Sequence, residues 1–178
     1  MDGSMNQQNS PVEIRPATAE DTDILGVYGA ELIALHHAWD AARFISTGPR
    51  TAELYSRYLK DQLGKPDALV LVAIQAGAVC GYTFAVLEGH NYMALRGPAG
   101  VIHDIFVDAN RRRQGVGRTL LDATVWELKH RGATQVVLST AYRNEAGRRL
   151  FAAAGYRPTM VEMTLQLSED QENLDSIG

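Results

Sequence analysis

Val101-Ile-His-Asp-Ile-Phe-Val107, followed by Asp108-Ala-Asn-Arg-Arg-Arg-Gln-Gly-Val-Gly117, is the stretch from which the rest of the chain is read. The first seven residues predict a strand, and Asp108 to Asn110 end it. From Gly115 to Arg131 the residues Val116, Leu120, Leu121, Val125 and Leu128 fall on one stripe. That spacing predicts a helix, closed by Gly132. A strand thus passes through a glycine-bearing turn directly into a helix. Glycine at such a turn lets backbone N–H groups come close to a ligand. The helix N-terminus adds donors without intrahelical partners and a partial positive charge. Arg111, Arg112 and Arg113 ring the turn, and Arg118 follows it. Together these are the parts of a phosphate or pyrophosphate cradle.

The chain on either side fits around that unit. Val12-Glu13-Ile14-Arg15 alternates and predicts a first short strand, stopped by Pro16. Thr18 offers an N-cap with Asp21 three residues on, opening a helix from about Ala19 into the Leu32 to Leu35 region. Thr51 to Leu63 predicts a second helix. Ala68 to Ile74 is a continuous apolar strand, turned at Gln75-Ala76-Gly77 into a returning strand over Val79 to Leu87. Downstream, Val136 to Ser139 predicts a strand and Asn144 to Ala154 a helix. Tyr156 to Leu167 predicts one or two final strands. The order predicts an α/β (α+β) fold, with a mixed central sheet of six to seven strands and about four helices on both faces. Residues 11–167 read as one domain, 1–10 as a disordered tail or tag, and 168–178 as a frayed acidic tail.

Composition excludes several classes. The 178 residues are 46% hydrophobic and 21% charged, the balance of a globular protein able to bury its own core. Lys+Arg 17 against Asp+Glu 21 leaves a net charge of -4, the wrong sign for coating nucleic acid or an anionic membrane. No run of about 18 apolar residues predicts a membrane span, and the polar N-terminus lacks a signal-peptide core. Cys80 stands alone in an apolar run, so no internal disulfide is expected and a cytoplasmic setting fits. Fourteen of the basic residues are arginine and only three are lysine. Arginine is the better fork for phosphate and carboxylate, so the excess points back to the cradle.

Two nucleotide readings fail on their residues. The G-x-x-x-x-G-K-[ST] spacing is absent, and Leu120 stands where a dinucleotide fingerprint needs its third glycine. Arg112-Arg-Gln-Gly-Val-Gly117 instead resembles the [RQ]-x-x-G-x-[GA] signature of the GNAT superfamily of acyl-CoA-dependent N-acetyltransferases. Asn144, Leu150-Phe151 and Gly155-Tyr156 resemble its second block at the same offsets. The resemblance spans roughly Val12 to Leu167. It implies acetyl-CoA as co-substrate, with the backbone of Arg113, Gln114, Gly115, Val116, Gly117 and Arg118 around the pyrophosphate. Phe106 and Val107 would pair with the pantetheine arm where two parallel strands splay. A backbone N–H near Ile105 or Phe106 would face the developing oxyanion, and Asn144 would bond the arm or cap its own helix.

Acyl transfer to an amine needs a neutral amine. His103 and Asp104 stand on the strand leading into the cradle, and either is a candidate base. Adjacent strand residues point to opposite faces, so only one is expected at the reacting centre unless a bulge intervenes. The family's usual tyrosine acid is replaced by Phe151, which has no proton to give but is able to pack on the pantetheine. A thiol lies only about 1.5 units above neutral pH, roughly 2 kcal/mol, so the loss is tolerable. His36, Trp39, Asp40, Tyr82 and Glu88 are the candidate residues for a cationic acceptor. Adjacent His36 and His37 cannot share one ion from a helix, so no metal is expected. The expected function is acetyl transfer to a primary amine of a small antibiotic-, polyamine- or amino-acid-like molecule, by direct attack in a ternary complex. A homodimer is the expected assembly. A protein or peptide N-acetyltransferase and a non-catalytic acyl-CoA sensor stay open as alternatives.

Overall fold

The computed structural model describes residues 10–167. The expected tails fall outside the described residues, apart from Ser10. Strand β1 (Glu13–Pro16) leads to helix α1 (Thr22–Trp39), and α2 (Thr51–Gln62) returns. Strands β2 (Ala68–Gln75), β3 (Ala78–Glu88) and β4 (Ala99–Val107) follow. Then come α3 (Val116–His130), β5 (Val136–Leu138) and α4 (Glu145–Ala153). The sheet order is β1-β2-β3-β4-β5. The first three pairings are antiparallel, and β4 with β5 is parallel.

Local chemistry explains the ends of these elements. The Thr18 and Asp21 backbone and side chains cap each other reciprocally, as the spacing predicts. Asp21 also takes a two-pronged bond from Arg15 at 2.7 and 2.9 Å, which holds its carboxyl down at about 2. Between β2 and β3 only Ala76 and Gly77 intervene, both at positive φ (52° and 77°), the backbone a tight two-residue hairpin requires.

The apolar run of β2 is buried on both faces. Leu69, Leu71 and Ala73 join Ala85, Ile102, Leu120, Leu121 and Leu128 beneath α3 and α4. Val70 and Val72 join Tyr82, Phe84 and Phe106 beneath α1 and α2, with Leu25, Tyr28 and Leu59. Cys80 lies in the first cluster at 3% exposure, where burial pushes its thiol up. It is a core residue.

One expectation is overturned. The sheet has five strands, not six to seven, among the described residues. Residues 157–167 carry strand-like alternation but form no strand. A strand needs a neighbour to complete its ladder, and this segment has none among the described residues.

Helix α1 meets α2 at two glycines. A Cβ at Gly26 would stand 2.3 Å from the Ala52 carbonyl oxygen, and one at Gly29 would stand 2.1 Å from the Tyr55 ring. The backbone oxygen cannot move aside, so the helices approach only because residue 26 has no side chain. Gly26→Val is expected to lower stability by roughly 1–3 kcal/mol through overpacking. A urea midpoint unchanged from the parent would contradict this packing.

Candidate active site

The turn from β4 into α3 has the backbone a bound anion needs. Asp108 accepts a bond from the Asn110 amide at 2.8 Å, which tightens the exit from the strand. Arg113 (φ 61°) and Gly115 (φ 84°) both adopt left-handed backbone. The first helical bond runs from the Thr119 amide to the Gly115 carbonyl at 3.0 Å. The amides of Val116, Gly117 and Arg118 therefore have no acceptor inside the helix. The Gln114 side-chain oxygen is buried without a partner, while its amide donates to the Asn110 carbonyl at 3.1 Å. Arg112 donates to the Val107 carbonyl at 2.9 Å and sits 5.6 Å over the Phe106 ring. Arg118 is held by Asp122 and donates to the Ala153 carbonyl, so its guanidinium braces α3 against α4.

Beside the cradle the sheet opens. Parallel pairing of β4 with β5 covers Gly100, Val101 and Ile102 only, ending at Leu138. Ile105, Phe106 and Val107 lie beyond it, with no β5 neighbour. The resemblance implies that a pantetheine arm would enter such a splay.

The register with β3 slips at the same height. Ala85 pairs with Ile102 and Phe84 with Asp104, which leaves His103 as the extra residue of a bulge. The bulge changes the expectation for the two candidate bases. The His103 ring stacks on Phe84 at 5.4 Å, and Asp104 accepts from the Tyr82 hydroxyl at 3.3 Å. Phe84 and Tyr82 both belong to the face under α1 and α2, so His103 and Asp104 share that face.

Their surroundings differ. Asp104 keeps a little solvent contact but is ringed by protein atoms, and burial pushes its carboxyl up to about 7. His103 is exposed and lies 3.2 Å from a Glu88 oxygen. The other Glu88 oxygen takes a 2.6 Å bond from Arg96, a largely buried pair. Arg96 and Phe84 are the residues sequence reading missed. The available signal was opposite charge at Glu88, the last residue of β3, and Arg96, in the loop that follows it.

Other expected site residues have structural duties. Tyr82 is fully buried, so it supports Asp104 from below and cannot touch an acceptor. Its hydroxyl is held protonated by burial. Asn144 caps α4, accepting from the Gly147 amide at 2.9 Å and donating to the Thr140 hydroxyl at 3.0 Å. Phe151 is buried in the core beneath α3 and α4, 6.0 Å from Tyr156. His36 bonds the Leu32 carbonyl and meets Trp39 and Phe44 edge-on. Asp40 accepts from the Ala42 and Arg43 amides, turning the chain out of α1. Arg143 donates to the Trp39 carbonyl, which ties the end of α1 to the turn after β5. Among the described residues, no group of three or more His, Cys, Asp or Glu is placed to hold a metal ion.

The model of the Acetyltransferase (GNAT) family matches residues 33–156. The chain belongs to this family. The GNAT fold also appears in similar solved structures. A mutant of the BH1408 protein from Bacillus halodurans is 20% identical, with 88% of this chain and 99% of that one covered and a TM-score of 0.76. The aminoglycoside N-acetyltransferase AAC(6')-Iy in complex with CoA is 16% identical, covers 89% and 96%, and has a TM-score of 0.71. A predicted acetyltransferase with acetyl-CoA from Clostridium acetobutylicum is 17% identical, covers 88% and 96%, and has a TM-score of 0.68. At these identities the likeness shows the fold. No curated protein matches the chain.

The raised Asp104 value has a consequence for stability. Its carboxyl titrates near 3.8 in a model compound and at about 7 in the folded GNAT domain. The folded state therefore binds the proton more tightly. The contribution is complete below about 3.8 and is lost as pH rises through 7. Asp104→Asn removes the titration. At pH 8 the variant is expected to resist urea better than the parent, by on the order of a few kcal/mol, and the gap should shrink by pH 4. Parallel pH-dependent urea midpoints for the two proteins would contradict the buried carboxyl.

Proposed function

We propose that this GNAT domain transfers acetyl from acetyl-CoA to a primary amine of a small cationic molecule, with Asp104 as the base. The observation that carries the reading is the bulge at His103. It brings a carboxylate titrating near neutrality to the strand whose outer side opens into the β4–β5 splay. The residues fit the cofactor: three free amides at the start of α3 and left-handed backbone at Arg113 and Gly115 line the turn. Arg112, Arg113 and the amides from Gln114 to Arg118 would hold the diphosphate. Acetyl-CoA, when bound, supplies an acetyl group activated as a thioester.

The chain's own residues then have separate duties. Asp104 takes the ammonium proton so that a neutral amine attacks, and a value near 7 suits that task at physiological pH. Tyr82 holds the Asp104 carboxyl in place. His103, fixed by Glu88, faces solvent and passes the proton outward. Asp104 and Glu88 together give the acceptor side negative charge, which favours a cationic amine and disfavours an anionic one. Phe151 is a core residue that donates nothing, so the departing thiolate takes its proton from water. A small-molecule acceptor is the favoured class, and aminoglycoside N-acetyltransferases are among the similar structures. A cytoplasmic setting and assembly as a homodimer complete the proposal.

Calorimetry with acetyl-CoA, followed by thiol release over a panel of amines, tests the reading. No acyl-CoA binding at millimolar concentration would end it. The rate should rise as pH passes through about 7. Asp104→Asn should flatten that limb and cut kcat by about 100-fold or more with acetyl-CoA affinity unchanged. An undiminished rate would remove Asp104 from the chemistry. A Cβ at Gly117 would make only ordinary contact with Leu150 at 3.4 Å and Val107 at 3.6 Å, so it is the bulk of an indole beyond it that has to compete with the diphosphate. Gly117→Trp should abolish acetyl-CoA binding, and calorimetric binding equal to the parent would displace the cradle.

A further inference from the structure

The loop between β3 and β4 holds apolar side chains in water. Tyr92, Met93 and Leu95 are 80–91% exposed. Large apolar groups gathered on a surface mark a place where something binds. The loop is built to keep them there. The Asn91 and Arg96 backbones exchange bonds at 2.8 and 2.9 Å, and the Asn91 side-chain oxygen accepts from the Ala94 amide at 2.9 Å. Leu95 adopts left-handed backbone (φ 50°), which a leucine rarely takes.

Charge ties this loop to the reacting strand. Arg96 donates to one Glu88 oxygen at 2.6 Å, and the other lies 3.2 Å from His103. His103 stacks on Phe84. Tyr58 of α2, which is 46% exposed, meets Phe84 edge-on at 5.8 Å. An aromatic strip thus runs from α2 across β3 to the residue beside Asp104. Glu88, bonded to the last member of that strip, is the residue from which the loop departs.

The same groups limit the positive charge an acceptor can bring. Glu88 is balanced by Arg96. At the end of α1, Asp40 is occupied by the Ala42 and Arg43 amides, and Glu162 pairs with Arg43. Of these four acids only Asp104 has neither a cation nor an amide beside it. A polyamine or an aminoglycoside carries several ammonium groups, and each one taken out of water needs its own counter-charge. One free carboxylate beside aromatic and apolar side chains suits a single ammonium on an apolar body.

We propose that the acceptor is a monoamine with an aromatic body, an arylalkylamine, and that Tyr92, Met93 and Leu95 contact that body while its amine meets Asp104. The assignment rests on the acetyl-transfer reading and names the substrate class within it.

Initial rates at saturating acetyl-CoA test it, with 2-phenylethylamine, the polar monoamine 2-methoxyethylamine and spermidine as acceptors. The kcat/KM for 2-phenylethylamine should exceed that of each other amine by about 10-fold or more, the gain expected from covering a phenyl group. The double variant Tyr92→Ser/Met93→Ser should lower the preference for 2-phenylethylamine over 2-methoxyethylamine about 10-fold, mainly through KM. Its circular dichroism should match the parent, because both sites are exposed. Leu95→Asn is a second, independent variant, since asparagine accepts left-handed backbone, and it should act in the same direction. Equal rates for the two monoamines, a preference for spermidine, no turnover of 2-phenylethylamine, or a preference unchanged in both variants would each overturn the proposal. So would a double variant that converts a dimer to a monomer by light scattering, because the loop would then cover a second copy. Only a failure to bind acetyl-CoA would overturn the acetyl-transfer reading along with it.

Discussion

The structure turns on one constraint at β4: this strand has two neighbours, and neither follows it along its whole length. Strand β5 leaves after Ile102, and β3 slips by one residue between Phe84 and Ala85. The first departure exposes backbone on the β5 side. The second gives His103 and Asp104 the same face. A regular strand would have sent one of these side chains toward α3 and closed the slot beside it. The irregularities are therefore what brings the candidate residues together, and the well-packed remainder of the sheet holds them in position.

Charge is arranged around that strand in two zones. Arginines 111, 112, 113 and 118 crowd the turn into α3, where free helical amides add to their field. Asp104 and Glu88 lie on the face under α1 and α2. Only Glu88 has a strong cationic partner, Arg96. Asp104 has just a tyrosine hydroxyl at 3.3 Å, so burial dominates and its carboxyl rises to about 7. A net charge of -4 conceals this division. Under the proposed function the arginines at the turn serve the diphosphate, and the acidic side faces an incoming amine.

Much of this was legible in the residues. Val116, Leu120, Leu121 and Leu128 are nearly or fully buried as their spacing predicts, and the strand, turn and helix from Val101 to His130 occur where they were read. Thr18 with Asp21 forms its reciprocal cap, and Ala76-Gly77 forms its tight turn. These features depend on residues near one another in sequence. The bulge at His103 was not legible, because it results from the pairing of β3 with β4 across the Glu88–Arg96 loop. Tyr82 and Phe151 read as site residues and are buried, since burial depends on what a distant element places above them. The final strands failed for a related reason. Residues 157–167 have the alternation of a strand, but pairing requires a neighbour that none of the described residues supplies.

The sequence alone therefore determined the element order up to α4, the glycine-bearing turn into α3 and the family, because periodicity, capping and glycine positions act over a few residues. Tertiary structure alone decided which face His103 takes, why Asp104 titrates near neutrality, and which apolar residues stay in water. Those outcomes depend on strand register and desolvation, which are set by residues far apart in the chain.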